Sequence, residues 1–169
     1  PSEDLSDNAA HARFVDSIRE VVPHATGTAV TLLEWGRAVV RSFHQGPQGP
    51  IAVLVSEPDR PHEVSSYDAG SLTRLTRTND ELLAELELGP VEKIRFQSAD
   101  GTPIEAFVVK PPDFEEGTKY PTYLRIHGGP VSQYNWSFLF AAQHFAANGY
   151  VVVLPNPRGS SGYGQDFSL

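Results

Sequence analysis

The sequence predicts a mixed fold, an antiparallel all-β unit followed by the opening of an α/β sheet. Three observations carry that prediction. Residues 28–77 alternate short β-rich runs with turns bearing Gly, Pro and Asp. Residues 79–89 form a charged, leucine-bearing stretch closed by Gly89-Pro90, and residues 122–154 read strand, helix, strand. The 169 residues suit one ordinary domain or fractions of two larger ones, and 40% hydrophobic residues suffice for a core.

Taken in order, the N-terminal residues are ambiguous. Phe14, Ile18 and Val21 or Val22 fit a helical period, yet the acidic residues before them equally suit a loop leading into a strand. Strands are expected at 28–35, 38–44, 51–57, 62–67 and 71–75, where β-branched and apolar residues gather. Gly36-Arg37, Gly46-Pro47-Gln48-Gly49-Pro50, residues 58–61 and Asp68-Ala69-Gly70 supply the reversals, because Gly takes positive φ and Pro fixes it. Strands recurring every ~8 to 12 residues with such turns indicate a sandwich, barrel or propeller.

Residues 79–89 read as a connector, with a solvated helix turn inside one domain as the other reading. Residues 91–97 and 104–110 then form a hairpin around Asp100-Gly101, a favoured turn pair. Ile94 and Phe96, like Ile104, Ala106 and Val108, share a period of two. A short strand at 122–126, a helix at 137–148 ended by Asn148-Gly149, and an apolar strand at 150–154 complete a βαβ unit.

Composition excludes several classes of function. With 13 basic against 21 acidic residues, a formal charge of −8, the chain offers no cationic stripe for a nucleic-acid backbone. No apolar run reaches the ~18 residues of a membrane span, and residues 137–147 are interrupted by Gln143 and His144. The absence of Cys removes a disulfide framework, thiolate metal ligands and a cysteine nucleophile. The six histidines, His11, His24, His44, His62, His127 and His144, form no metal-ligand spacing, so neither a metal nor another cofactor is expected. The chain begins at Pro1 without a basic-then-apolar leader, which in an excised piece says nothing of the parent's compartment; the expected compartment is the cytoplasm.

The chemistry is expected at the loops after the two strands of the βαβ unit, which leave the sheet at the same carboxyl edge. The first is His127-Gly128-Gly129-Pro130. Two successive glycines remove side-chain cover and Pro130 restricts the residue before it, leaving backbone N–H groups free to face a cleft as an oxyanion hole requires. The alternative is a plain strand-to-helix turn. The second loop, Asn156-Pro157-Arg158-Gly159-Ser160-Ser161-Gly162-Tyr163-Gly164, has its glycines in the reverse order of a dinucleotide fingerprint, and no phosphate-binding G-x-x-x-x-G-K-[ST] occurs. Arg158 is expected to be held by a carboxylate or a carbonyl. No serine satisfies G-x-S-x-G, since Tyr163 stands where the second glycine is needed after Ser161. Ser160 and Ser161 are therefore poor nucleophile candidates. His127 is read as orienting the glycine loop through a ring hydrogen bond.

Gly89-Pro90-Val91-Glu92-Lys93-Ile94, Asp100-Gly101-Thr102, Val109-Lys110-Pro111-Pro112, Tyr120-Pro121, His127 to Pro130, Gly149-Tyr150-Val151-Val152 and Asn156 to Gly164 follow one another in an order that resembles the prolyl oligopeptidase family of serine peptidases. The His-Gly-Gly-Pro form looks like its acylaminoacyl-peptidase (acyl-peptide hydrolase) branch rather than the dipeptidyl peptidase branch. Residues 51–67 and 71–76 more weakly resemble the closing blade of the family's β-propeller.

The resemblance implies the C-terminal end of an all-β propeller (residues 1–79), a connector (80–90) and the N-terminal part of an α/β-hydrolase domain (91–169). It implies hydrolysis of short or N-acylated peptides by acyl transfer from a Ser-Asp-His triad. Gly129 would donate its backbone N–H to the oxyanion, with Gly128, His127 and Pro130 shaping that turn and Arg158 serving the following loop. The elbow serine and the later triad members are expected after Leu169, so the isolated segment is expected to be inactive. A peptide substrate is the expected partner, with a homo-oligomer allowed. The rivals are a carboxylesterase, which shares the glycine loop but usually lacks a preceding all-β domain, and a non-catalytic propeller protein acting as a binding scaffold.

Overall fold

The computed structural model describes residues 37–45, 49–68, 71–129 and 132–168. The readings for residues 14–22 and 28–35, for most of the 46–50 turn, for Ala69-Gly70 and for Pro130 lie outside them. The described residues build two four-stranded sheets.

The first sheet is an antiparallel meander in the order β1 (Val39–Gln45), β2 (Ile51–Glu57), β3 (Arg60–Asp68) and β4 (Ser71–Arg74). Alternation sets its inner face: Ile51, Val53 and Val55 of β2 pack with Tyr67 of β3 in one buried cluster, covered by Ala38, Val40 and Leu72. A two-residue turn, Pro58-Asp59, joins β2 to β3, so β3 starts two residues earlier than the apolar pattern indicates. Pro61 is tolerated inside that strand because β4 pairs only with Ser65 to Asp68, leaving one side of Pro61 unpaired. The buried Glu63 faces the segment after β4, where Thr76 and Thr78 hydroxyls and the Asn79 N–H donate to it. The Thr76 hydrogen bond is the main cause of its carboxyl lying below the ordinary value; burial opposes, and the other hydrogen bonds with the Arg74 charge assist.

Residues 79–89 contain a five-residue helix, α1 (Asp80–Ala84), whose Asp80 accepts from Arg74 and Arg77 and which buries no side chain. The chain is fixed again at Gly89. The buried Gln143 side chain receives the Gly89 N–H at 2.8 Å and donates to the Gly89 carbonyl at 3.1 Å, so one amide satisfies both backbone groups. A Cβ at residue 89 would lie 2.0 Å from the Lys110 carbonyl oxygen, which is why glycine stands there.

The second sheet has the order β5 (Val91–Gln97), β6 (Pro103–Val109), β8 (Val151–Asn156) and β7 (Thr122–Leu124). β5, β6 and β8 are antiparallel neighbours, whereas β7 runs parallel to β8. The β5–β6 turn carries Asp100-Gly101 with Gly101 at φ +82°, as the turn pair predicts. Between β7 and β8 lies α2 (Phe140–Ala147), which lays Ala142 and Ala146 on Phe107, Val109, Val152 and Leu154. Trp136 closes this core edge-on to Phe107, ring centroids 4.9 Å apart. No described helix is long and apolar enough to cross a membrane.

Candidate functional site: two loops at the carboxyl edge

Because β7 and β8 are parallel neighbours, the loops that follow them emerge side by side. The structure brings together the two stretches singled out in the sequence. The Ser161 N–H donates to the Ser132 carbonyl at 2.9 Å, which ties the second loop to the far side of the first. Gly162, at φ +88°, runs so close to Gln133 that a Cβ there would meet its side-chain oxygen at 2.5 Å. Positive φ at Gly159, Gly162 and Gly164 lets the chain fold back into a short helix, α3 (Gln165–Ser168), and the Ser168 hydroxyl returns to the Ser160 carbonyl at 2.9 Å.

His127 is half-buried, with its ring between the loops. Its Nε2 lies 2.8 Å from Ser160 Oγ and its Nδ1 3.1 Å from the Gly128 carbonyl. A serine hydroxyl beside an imidazole invites comparison with a nucleophile and its base. Ser160, however, has 0% exposure and its hydroxyl donates to the Pro157 carbonyl at 2.6 Å. The imidazole thus bridges a buried hydroxyl at Nε2 and a backbone carbonyl at Nδ1. The pair fastens the glycine loop to the second loop. Gly128 and Gly129 are themselves exposed, with open space where a Cβ on Gly128 would sit.

Below the loops lies a polar network that the sequence reading missed. Asn156, fully buried at the end of β8, accepts the Tyr134 N–H at 2.7 Å and donates to the Tyr134 carbonyl at 2.9 Å, and it donates also to the Tyr163 hydroxyl at 2.8 Å. Tyr163 donates onward to Glu105 at 2.8 Å, and Glu105 accepts from Arg95 at 2.9 Å with Lys93 at 3.2 Å. Burial pushes the Tyr163 phenol up, and the Glu105 carboxylate it faces adds to the shift. Burial would raise Glu105 as well, but the Tyr163 and Arg95 hydrogen bonds and the Lys93 charge outweigh it, leaving its carboxyl below the ordinary value. Glu105 is thus held as an anion and Tyr163 as a neutral donor. A signal did exist: Asn156 shares the period-two face of Val152 and Leu154, and a polar residue on an inward face needs partners.

Arg158 lies at the rim, paired with Asp100 of the β5–β6 turn, so its expected carboxylate is found. Both side chains are exposed. The Ser98 hydroxyl and the Thr102 backbone N–H, with Arg158, hold the Asp100 carboxyl well below its ordinary range. Among the described residues no group of three or more His, Cys, Asp or Glu is placed to hold a metal.

Comparison with known proteins agrees with this geometry. Residues 136–169 match the model of the prolyl oligopeptidase family. An uncharacterized peptidase, YuxL, of Bacillus subtilis is 40% identical over 130 residues, which cover 76% of this chain and 20% of that protein. Dipeptidyl-peptidase 5 of Porphyromonas gingivalis is 37% identical over 102 residues, 59% of this chain and 15% of that protein. Among solved structures, acylaminoacyl peptidase of Pyrococcus horikoshii superposes with a TM-score of 0.70 at 32% identity, over 79% of this chain and 21% of that one. The chain therefore spans about a fifth, or less, of the length of these proteins. With the family match on residues 136–169 and a likeness in fold over 79% of the chain, this chain is similar to members of the prolyl oligopeptidase family.

Proposed function

We propose that this chain is the part of a serine peptidase that spans the end of a β-propeller (residues 1–79), a connector (80–90) and the start of an α/β-hydrolase domain (91–169), and that it supplies the oxyanion loop. The observation that carries the reading is the exposed Gly128-Gly129 pair at the carboxyl edge, in the loop that follows β7, the third strand of the second sheet in chain order. In α/β-hydrolases the loop after the third strand contributes one oxyanion N–H, and the residue after the nucleophile contributes the other.

In this reading a serine outside the chain attacks the substrate carbonyl, and the negative charge that develops on oxygen is accepted by the Gly129 N–H. The tetrahedral adduct expels the amine, and water hydrolyses the acyl-enzyme. His127 and Ser160 hold the loop in place before the reaction, so no reorganisation is needed as charge appears. Pro130 limits the conformations of Gly129. Short or N-acylated peptides are the proposed substrates, in keeping with relatives named as acylaminoacyl and dipeptidyl peptidases. A carboxylesterase fits less well, because a four-stranded meander precedes the second sheet.

The test is labelling by a fluorophosphonate. The full-length protein that carries this chain is expected to be labelled covalently, and the 169 residues alone to remain unlabelled. A folded full-length protein that resists the probe would overturn the peptidase reading.

A further inference from the structure

The segment that continues the glycine loop is held from two sides. From the second sheet, Asn156 clamps Tyr134. From the first sheet, the Phe138 N–H donates at 2.9 Å to Ser56 Oγ, 82 residues away in sequence, while the Ser56 hydroxyl donates to the Arg60 carbonyl at 2.9 Å. Arg37, just before β1, adds a second contact, its guanidinium standing 4.8 Å from the centre of the Trp136 ring.

Ser56 is placed for this task by a local irregularity. The register of β2 against β3 shifts by one between Val55 and Glu57, where Pro61 and His62 of β3 oppose the single residue Ser56 of β2, a bulge in β3 that adds local twist. Ser56 sits opposite it, 1% exposed, with its donor and an acceptor site both used. Within the β2–β3 hairpin the hydroxyl serves only to donate to the Arg60 carbonyl. Only the bond to Phe138 requires an oxygen whose hydroxyl proton already points elsewhere.

We propose that Ser56 is a positioning residue for the oxyanion loop: the first sheet, through Ser56 and Arg37, fixes residues 132–138, and thereby the Gly128-Gly129 turn that precedes them. Activity is then coupled to the seating of the first sheet on the second, because separating the sheets breaks the Ser56–Phe138 bond and slackens the loop. The proposal rests on the oxyanion reading of Gly129. Its structural half, the restraint of residues 127–138, stands apart from that reading.

The experiment uses the full-length protein with Ser56→Ala, Ser56→Thr and Arg37→Ala, and reads amide hydrogen exchange together with the rate of fluorophosphonate labelling. Ser56→Ala is expected to accelerate exchange across residues 127–138 at least ten-fold, with β6 and β8 unchanged, and to slow labelling about ten-fold. Ser56→Thr, which keeps the oxygen, is expected to restore both. Exchange unchanged over 127–138 overturns the restraint. Faster exchange with an undiminished labelling rate overturns the link to the oxyanion loop. Parent protein that is never labelled removes the peptidase reading, while exchange still decides the restraint. Should Ser56→Ala fail to fold, the surface change Arg37→Ala decides: two- to three-fold faster exchange over 127–138 supports the proposal, and no change overturns it.

Discussion

Asn156 concentrates the physics of the site in one side chain. Its amide satisfies both backbone groups of Tyr134 and orients Tyr163 from a position without solvent. Removing it leaves a donor and an acceptor unpaired, and each such group costs ~1 to 3 kcal/mol. Asn156→Ala in the full-length protein is accordingly expected to lose about 3 kcal/mol or more, read as a lowered urea midpoint. Asn156→Asp keeps the Tyr134 N–H partner but loses the donors to the Tyr134 carbonyl and the Tyr163 hydroxyl, and is expected to fall between. At this scale the sequence was half legible. His127, Gly128 and Gly129 announced themselves by type and spacing after a strand, whereas Asn156, Gln143 and Ser56 are polar residues whose partners Tyr134, Gly89 and Phe138 lie 22 to 82 positions away. Local pattern marks such residues only as anomalies on buried faces, and nothing in it names the partner.

Elements were easier to read than their ends. The helix expected at 137–148 begins at Phe140, because the Asn135 side chain takes the Ser137 N–H at 3.1 Å and the Ser137 hydroxyl at 2.6 Å, holding a turn that competes with helix. The strand expected at 150–154 runs to Asn156 through Pro155, since β7 ends opposite Val153 and leaves that side of β8 with no strand to pair. The stretch at 79–89 contains the helix turn that was the alternative reading, but its C-terminal end is rigidly held. Gly89→Ala is expected to test that hold. Its Cβ would collide with the Lys110 carbonyl and displace the Gln143 amide, so a loss of about 2 kcal/mol or more is predicted. Thermal unfolding of the full-length variant measures it, and an unchanged melting temperature would mean that this junction is slack.

For the whole molecule, the pattern of turns and the parity of strands were enough to foretell two sheets of different character. They could not foretell how the sheets touch, because Ser56 meets Phe138 only after both have folded. The described residues also leave apolar surface open: Leu124 and Ile126 at β7 and Phe140 at the start of α2 are each more than half exposed. Among the described residues β7 pairs with β8 alone, and an edge of this kind favours association. The isolated 169 residues are therefore expected to aggregate or to melt broadly, and a sharp, reversible, two-state transition of the monomer would contradict that. The central claim is that the Gly129 N–H stabilises the oxyanion of a serine peptidase. It is tested most directly by kcat/KM of full-length Gly129→Pro, which lacks that N–H, beside Gly129→Ala, which keeps it. A loss of about 10²- to 10³-fold in kcat for the proline variant, with KM nearly unchanged and the alanine variant much closer to the parent, is the predicted result. A folded Gly129→Pro protein that retains the parent's kcat would contradict it.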